Sequence, residues 1–482
     1  VLEYGNWQRY ELRFGHRCRE PAAGAEEALM QFKQAFDVAR GDVVAFIGAG
    51  GKTSLMVSLG YELAEAGWRV LATTTTKLAT DQLDLFPCTM AAHAAPLSIS
   101  QALTEHQFVL LHEQIRSGHV YGPPREWTRN LLDSVDSDIL LVEADDAAGK
   151  PFKAPLSDEP HVPLETSLVI SVASLRALGL PLDSDHIYNP ASMIERYGFI
   201  ENSPVKSPWL AQVLRDDELG LRGVPADARV VIFLNQTPQR GFMRGRARMI
   251  ARLGLKSERI EAVALGSVRG AEPVFELQRR VGALVLATGA SPCRDGERML
   301  LPVERGRAAV AMVTERVLRS RIDHIRLVTG WRSPEVRAAT RHLGVKTVHD
   351  RAHQTGGAVT GLKAGLRALP AKISAALVIP GDQARLQPNV IYHILAAYAR
   401  GEGEFIVPRY QKRCGHPILI GRRYWSDLVK LPRASDFRAI VQRFRDDVTF
   451  LNVESDSIFH DNRQLAPHQM ARSRARMGNR DP

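Results

Sequence analysis

Three glycines, a lysine and two hydroxyl residues stand together in FIGAGGKTSLM, Phe46 to Met56, between an apolar run and an amphipathic one. That order is what a phosphate cradle requires. Glycines let backbone N–H groups turn inward, a helix N-terminus adds positive potential, and a lysine reaches the terminal phosphates. Gly48, Gly50, Gly51, Lys52, Thr53 and Ser54 are therefore candidate nucleotide contacts, with Thr53 or Ser54 able to ligate Mg2+. The usual spacing is G-x-x-x-x-G-K-[ST], which would put a glycine at Phe46. A shortened loop results, with Gly48 making the turn instead.

Two further clusters suit the same chemistry. TTTTK, Thr73 to Lys77, follows an apolar run, and its hydroxyls and cation, Thr76 and Lys77 above all, could meet phosphate or metal-bound water. A polar turn is the alternative. ILLVEADDAAGKPFKAP places Glu143 and Asp145 at the end of an apolar strand. Nucleotide-hydrolysing proteins hold Mg2+ with an acidic residue in that position. A solvated strand end is the competing reading.

The second half contains VLATGASPCRDGERMLLPV, Val285 to Val303, an apolar strand running into a small-residue loop and a basic stretch. Gly289 and Ser291 could wrap a nucleoside triphosphate, while Arg294 and Arg298 could neutralise charge during transfer. VIPGDQARL puts Asp382 just past another strand, where an open α/β sheet offers a Mg2+ ligand. KRCGHPILI follows, with Gly415, His416 and Pro417 turning into a strand. Taken singly, Asp382 could end a turn and His416 could be a structural histidine.

These residues need strands and helices to hold them. Short apolar runs alternate with helical patterns almost throughout, which predicts α/β architecture with mainly parallel sheets. Strand candidates begin at Val43, Arg69, Phe108, Ile139, Leu168, Val230 and Ile260, and again at Ala283, Ile325, Ala375, Phe405, His416 and Val448. AEPVFELQRRVGA reads as helical and places a junction near residues 270 to 280. The expected organisation is an N-terminal extension over 1–40, a nucleotide-binding domain over 41–275, a second domain over 280–465 and a basic tail over 466–482.

The 482 residues carry 63 Lys+Arg against 53 Asp+Glu, a net charge of +10 that suits phosphate-bearing small molecules or nucleic acid. No helix-turn-helix, zinc-finger or aromatic RNA-binding signature accompanies the charge, so nucleic acid is the weaker expectation. No apolar run approaches the roughly 20 residues of a membrane span. The start lacks the apolar core of a secretion signal. Cys18, Cys88, Cys293 and Cys414 are far apart and form no CxxC pair, which argues against a disulfide framework or cysteine zinc site. A cytoplasmic protein is expected.

GAGGKTSLM, TTTTK, EADDAAGKPFKAP and the later EPHVP, Glu159 to Pro163, resemble the YqeC family, accessory proteins associated with selenium-dependent molybdenum hydroxylases. The resemblance covers roughly residues 40 to 270. It implies a P-loop NTPase-like sheet binding ATP or GTP, with Lys52, Thr53, Glu143 and Asp145 as nucleotide and Mg2+ positions. It also places Lys150 and Lys153 on a basic segment facing an anionic ligand. The family's EADG reads with Asp146 here. Its NKxD-like motif reads NQTP, Asn235 to Pro238, so no base is assigned.

Residues 280 to 465 resemble the MobA-like nucleotidyltransferases, especially the MocA branch, on LATG with Ser291, GDQ, GHP and the GAVTGLKAGL segment. That resemblance implies a Rossmann-like nucleotidyltransferase sheet and cytidylyl transfer from CTP to molybdopterin. Asp382 would hold Mg2+, Arg294 and Arg298 would assist, and Gly289, Ser291 and His416 would lie at the nucleotide. The family's SxRMGxxK reads SPCRDGER, with Cys293 at the arginine position and Arg298 at the lysine position, an exchange that is not conservative at a phosphate. Its DIDTPED reads HDNRQLAP, leaving Asp461 as the second metal ligand. Together the two resemblances imply a molybdenum cofactor maturation protein that serves a molybdenum hydroxylase apoenzyme. The alternative is a non-catalytic cofactor-binding and delivery protein with a P-loop switch.

Overall fold

The computed structural model describes residues 30–459 except 290–291, 294–295, 321, 355–357 and 433–436. The chain divides between Arg279 and Arg280 into two compact units.

The first unit is built on nine strands: β1 Val43–Gly48, β2 Val70–Thr74, β3 Cys88–Ala91, β4 Phe108–His112, β5 Ile139–Glu143, β6 Leu168–Ser174, β7 Arg229–Asn235, β8 Ile260–Gly266 and β9 Val274–Arg279. Their spatial order is β9-β8-β7-β6-β1-β5-β2-β4-β3. Every pairing is parallel except β8 with β9. β1 thus lies between β5 and β6 and is buried on both faces, which explains its unbroken apolar run. Val44 and Phe46 face the helix Lys52–Glu65, whose Leu55, Met56, Leu59 and Leu63 are buried. Ala45 and Ile47 pack into the core on the other face.

Two expectations change here. The stretch read as helical, AEPVFELQRRVGA, is the edge strand β9 running on into a strand of the second unit. Its misleading feature is Glu276, a charged residue on a buried position, which is only 1% exposed because Arg244 and Arg248 pair with it. The described part of the N-terminal extension belongs to the first unit's core. Met30, Phe32 and Phe36 are buried there, and Phe32 and Phe36 meet Phe233 edge-on.

The second unit has β10 Val281–Ala287, β11 His324–Thr329, β12 Lys346–His349, β13 Ala375–Pro380, β14 Phe405–Tyr410, β15 Arg413–Cys414, β16 Ile418–Gly421 and β17 Val448–Asn452. They run in the order β12-β11-β10-β13-β16-β14-β15, with β17 pairing parallel to β14. β12, β11, β10 and β13 are mutually parallel, and β16 turns antiparallel beside β13. Both units are therefore α/β with parallel-rich sheets. Among the described residues no helix is long and apolar enough to cross a membrane.

Candidate functional site

In the first unit the loop between β1 and its helix contains only Ala49, Gly50 and Gly51. Phe46, where a longer loop would have its first glycine, is a fully buried strand residue. The bend starts at Gly48, whose φ of +91° already favours glycine, and a Cβ there would lie 2.2 Å from the Val172 carbonyl oxygen. Gly51, at φ +127°, precedes the helix without any side-chain cap. The first four N–H groups of that helix have no intrahelical acceptor, which is the property an anion exploits.

Asn235 holds this loop in place. Its Nδ2 donates to the Gly50 carbonyl at 2.8 Å, and its Oδ1 accepts from the Gln236 and Val268 N–H groups. The sequence treated NQTP only as a lapsed base-reading motif. Asn235 is instead a buried clasp, and its 185-residue separation from Gly50 hides that role from any local pattern.

Beneath the loop lies a buried ionic cluster. Lys52 is 5% exposed and its Nζ turns back, 2.9 Å from the Gly48 carbonyl, 3.2 Å from Asp145 and 3.7 Å from Glu143. Thr53 Oγ1 donates to Glu143 Oε2 at 2.7 Å, and Gly48 N–H donates to Asp145 Oδ2 at 2.9 Å. Burial opposes the Lys52 charge, but Asp145 and Glu143 outweigh it and hold its pKa above the ordinary lysine value. Burial pushes the Glu143 carboxyl up, against the pull of Lys52. The nearer contact decides between these tendencies: Lys52 stays charged against Asp145, 3.2 Å away.

The donor set bears on a cation. Thr53 and Glu143 present oxygen atoms already in contact, and Asp145 adds a carboxylate two residues on. Oxygen donors in small number suit Mg2+, which keeps waters and phosphate oxygens as its other ligands. No group of three or more His, Cys, Asp or Glu side chains gathers into a metal cage among the described residues.

Other predicted contacts fare differently. Thr73, Thr74 and Thr75 spend their hydroxyls on the Leu111, Glu143 and His161 carbonyls. Thr76 turns inward, its N–H donating to Thr74 Oγ1 at 3.1 Å, and Lys77 pairs with Asp146 at 3.5 Å. Ser54 lies half-buried in the first turn of the helix. Lys153 does not face an outside anion. It is buried against Asp145 and Glu159, and Lys150 donates to the Asp185 carbonyl.

In the second unit, Gly289, Asp382 and His416 converge on one cleft with Leu286, Met299, Val378, Pro380 and Phe437, about 360 Å3 including its open mouth. It lies at the carboxyl ends of β10 and β13, where open α/β sheets bind ligands. Arg298 opens the short helical turn whose next residue, Met299, lines this cleft. Ser291, Arg294 and Asp461 lie outside the described residues. Gln383, the last residue of the GDQ motif, locks the floor by donating to the His416 carbonyl at 3.0 Å and the Ser457 carbonyl at 2.9 Å.

His416 stands edge-on to Phe437 with ring centroids 5.4 Å apart, and burial lowers its pKa to about 4. The unfolded chain protonates this ring near pH 6.5 and the native one only near pH 4. Between those values the unfolded state binds more protons, so stability falls as pH drops, by about 3 kcal/mol in full. Hydrogen exchange of the adjacent β16 amides is expected to accelerate from pH 6.5 to 4.5, after correction for intrinsic rates. His416→Gln should remove most of that dependence. An unchanged pH dependence in the variant would show that another group controls it.

Comparison with known proteins adds to this geometry. Residues 44–191 match the family described as YqeC protein, and residues 283–448 match the MobA-like NTP transferase domain. The chain is similar to the uncharacterized protein YqeC of Escherichia coli strain K12, 27% identical over 230 residues that make up 48% of this chain and 89% of that one. Among solved structures it is similar to Rv0371c from Mycobacterium tuberculosis H37Rv, at 22% identity over 36% of this chain and 88% of the other, TM-score 0.32. A nucleotidyl transferase from Methanothermobacter thermautotroptrophicus gives 19% identity, 42% and 100% coverage and TM-score 0.34.

Proposed function

Because the chain joins a YqeC domain to a MobA-like NTP transferase domain, we propose that it matures the molybdenum cofactor of a molybdenum hydroxylase in the cytoplasm. The second unit would transfer a cytidylyl group from CTP to molybdopterin. An oxygen of the molybdopterin phosphate forms a bond to the α-phosphorus of CTP, the bond to the bridging oxygen breaks, and pyrophosphate leaves. The observation that carries this reading is the meeting of Gly289, Asp382 and His416 in one cleft of a transferase-type domain.

Gly289 leaves the backbone open at the mouth, since a Cβ there would meet nothing within 4 Å. Asp382 would hold Mg2+, whose chemistry is to neutralise the triphosphate. Arg298 and Arg294 would stabilise charge on the departing pyrophosphate, and catalysis would rest on positioning and electrostatics. In the first unit the loop would take ATP or GTP, with Thr53, Glu143 and Asp145 at its Mg2+.

Incubation of the full chain with CTP, Mg2+ and molybdopterin should release pyrophosphate and yield the dinucleotide, with CTP preferred over GTP and ATP. Tight binding of the dinucleotide without any turnover would move the assignment to a cofactor delivery protein.

A further inference from the structure

Asp145 stands between two lysines. Lys52 Nζ lies 3.2 Å from one carboxylate oxygen and Lys153 Nζ 3.2 Å from the other. The second oxygen also accepts the Gly48 N–H at the start of the loop. Lys153 is anchored in turn by Glu159 at 2.9 Å and by the Asp146 carbonyl, and its Nζ lies 4.8 Å from the centre of the Tyr188 ring. Tyr188 donates to Glu159, and burial followed by the Glu159 charge pushes its pKa to about 12. Two ammonium groups thus share this interior with the carboxylates of Glu143, Asp145 and Glu159, and none of the five residues is more than 9% exposed.

Lys52 cannot extend to a polyphosphate in the loop without leaving Asp145. A buried carboxylate abandoned by its only cation is strongly unfavourable, and the loss would oppose binding. Asp145, however, has a second cation already in contact. A space of about 350 Å3 including its open mouth, bordered by Gly48, Asp145, Phe152, Lys153, Val213 and Leu219, adjoins this pair.

We propose that Lys153 is a positioning residue for triphosphate binding: it keeps Asp145 neutralised and bonded to the Gly48 N–H while Lys52 passes from Asp145 to the phosphates. This inference rests on the reading of the loop as a triphosphate site. Lys153 touches no ligand. It lowers the electrostatic opposition to moving Lys52.

The test is calorimetry on the full chain with MgATP, MgGTP and inorganic tripolyphosphate, and with AMP as a ligand that does not require Lys52. Lys153→Met should weaken triphosphate and tripolyphosphate binding about tenfold or more while AMP binding changes little. Lys153→Arg, which retains the charge, should restore affinity to within about threefold. Should Lys153→Met fail to fold, the charge-balanced pair Lys153→Met with Glu159→Gln serves instead and should show the same tenfold loss. Wild-type affinity in either folded Met variant would overturn the role of Lys153 alone. Absence of triphosphate binding by the wild-type chain would overturn the loop reading and the inference together.

Discussion

Asp382→Asn is expected to lower pyrophosphate release from CTP by about 100-fold or more, the scale seen when a group that stabilises transition-state charge is removed. The substitution keeps the shape of the side chain and removes its charge. The backbone on either side is independently fixed: Gly381 N–H donates to the Leu286 carbonyl at 2.8 Å, and the buried Gln383 amide ties the next residue to His416 and Ser457. Asp382 lies half-buried between these anchors and faces the same cleft as Gly289. Loss of rate should therefore be chemical and not a consequence of unfolding. Parallel measurement of pyrophosphate release and of β13 amide protection separates the two. A variant with wild-type turnover would remove Asp382 from the reaction and favour a different use of the cleft.

Lys52→Met should do two things that a loop lysine pointing into solvent would not do together. Triphosphate binding by the first unit should be lost, and the folded state should lose about 3–5 kcal/mol, the range for breaking a buried ion pair from one side. An exposed lysine would change stability by about 0.5 kcal/mol or less. The large figure follows from where the ammonium lies, 5% exposed and within 4 Å of two carboxylates. Lys153 still neutralises Asp145 in the variant, so the lower end of the range is expected and Glu143 is the group left short of a partner. Lys52 has a raised pKa, so its contribution is complete below the unfolded-state value of 10.5 and fades only as pH climbs through the higher native value. Urea denaturation near neutral pH, followed through amide protection of β1 and β5, reads the stability term, and calorimetry with MgATP and MgGTP reads the binding. Unchanged stability would contradict the buried position of the ammonium.

How much of this was written in local sequence differs from element to element. Seven strand candidates of the first half all became strands of its sheet, because buried parallel strands are continuous apolar runs bounded by polar turns. Among the strands the reading left out, β3, β12 and β15 are edge strands whose residues are largely half-exposed or exposed, so their runs carry little apolar signal. β9 was mistaken for helix because the buried Glu276 breaks the pattern that would have marked it, and the arginines that permit its burial lie about 30 residues earlier.

The candidate site divides in the same way. Glycine positions, the lysine after them and the acidic ends of strands are local features, and composition with spacing was enough to select Gly48, Gly51, Lys52, Glu143, Asp145, Gly289 and Asp382. The amino-acid order alone also determined that the chain is two successive α/β units, since strand periodicity and turn residues repeat twice along it. What only the tertiary structure decided is which charges meet. It set Lys52 beneath its loop and made Lys153, expected to face an anionic ligand, a buried partner of Asp145. It also brought Asn235 across 185 residues to clasp Gly50. The physical reason is that a pair interaction depends on separation in space and on burial, and folding sets both through contacts that neighbours along the chain do not encode.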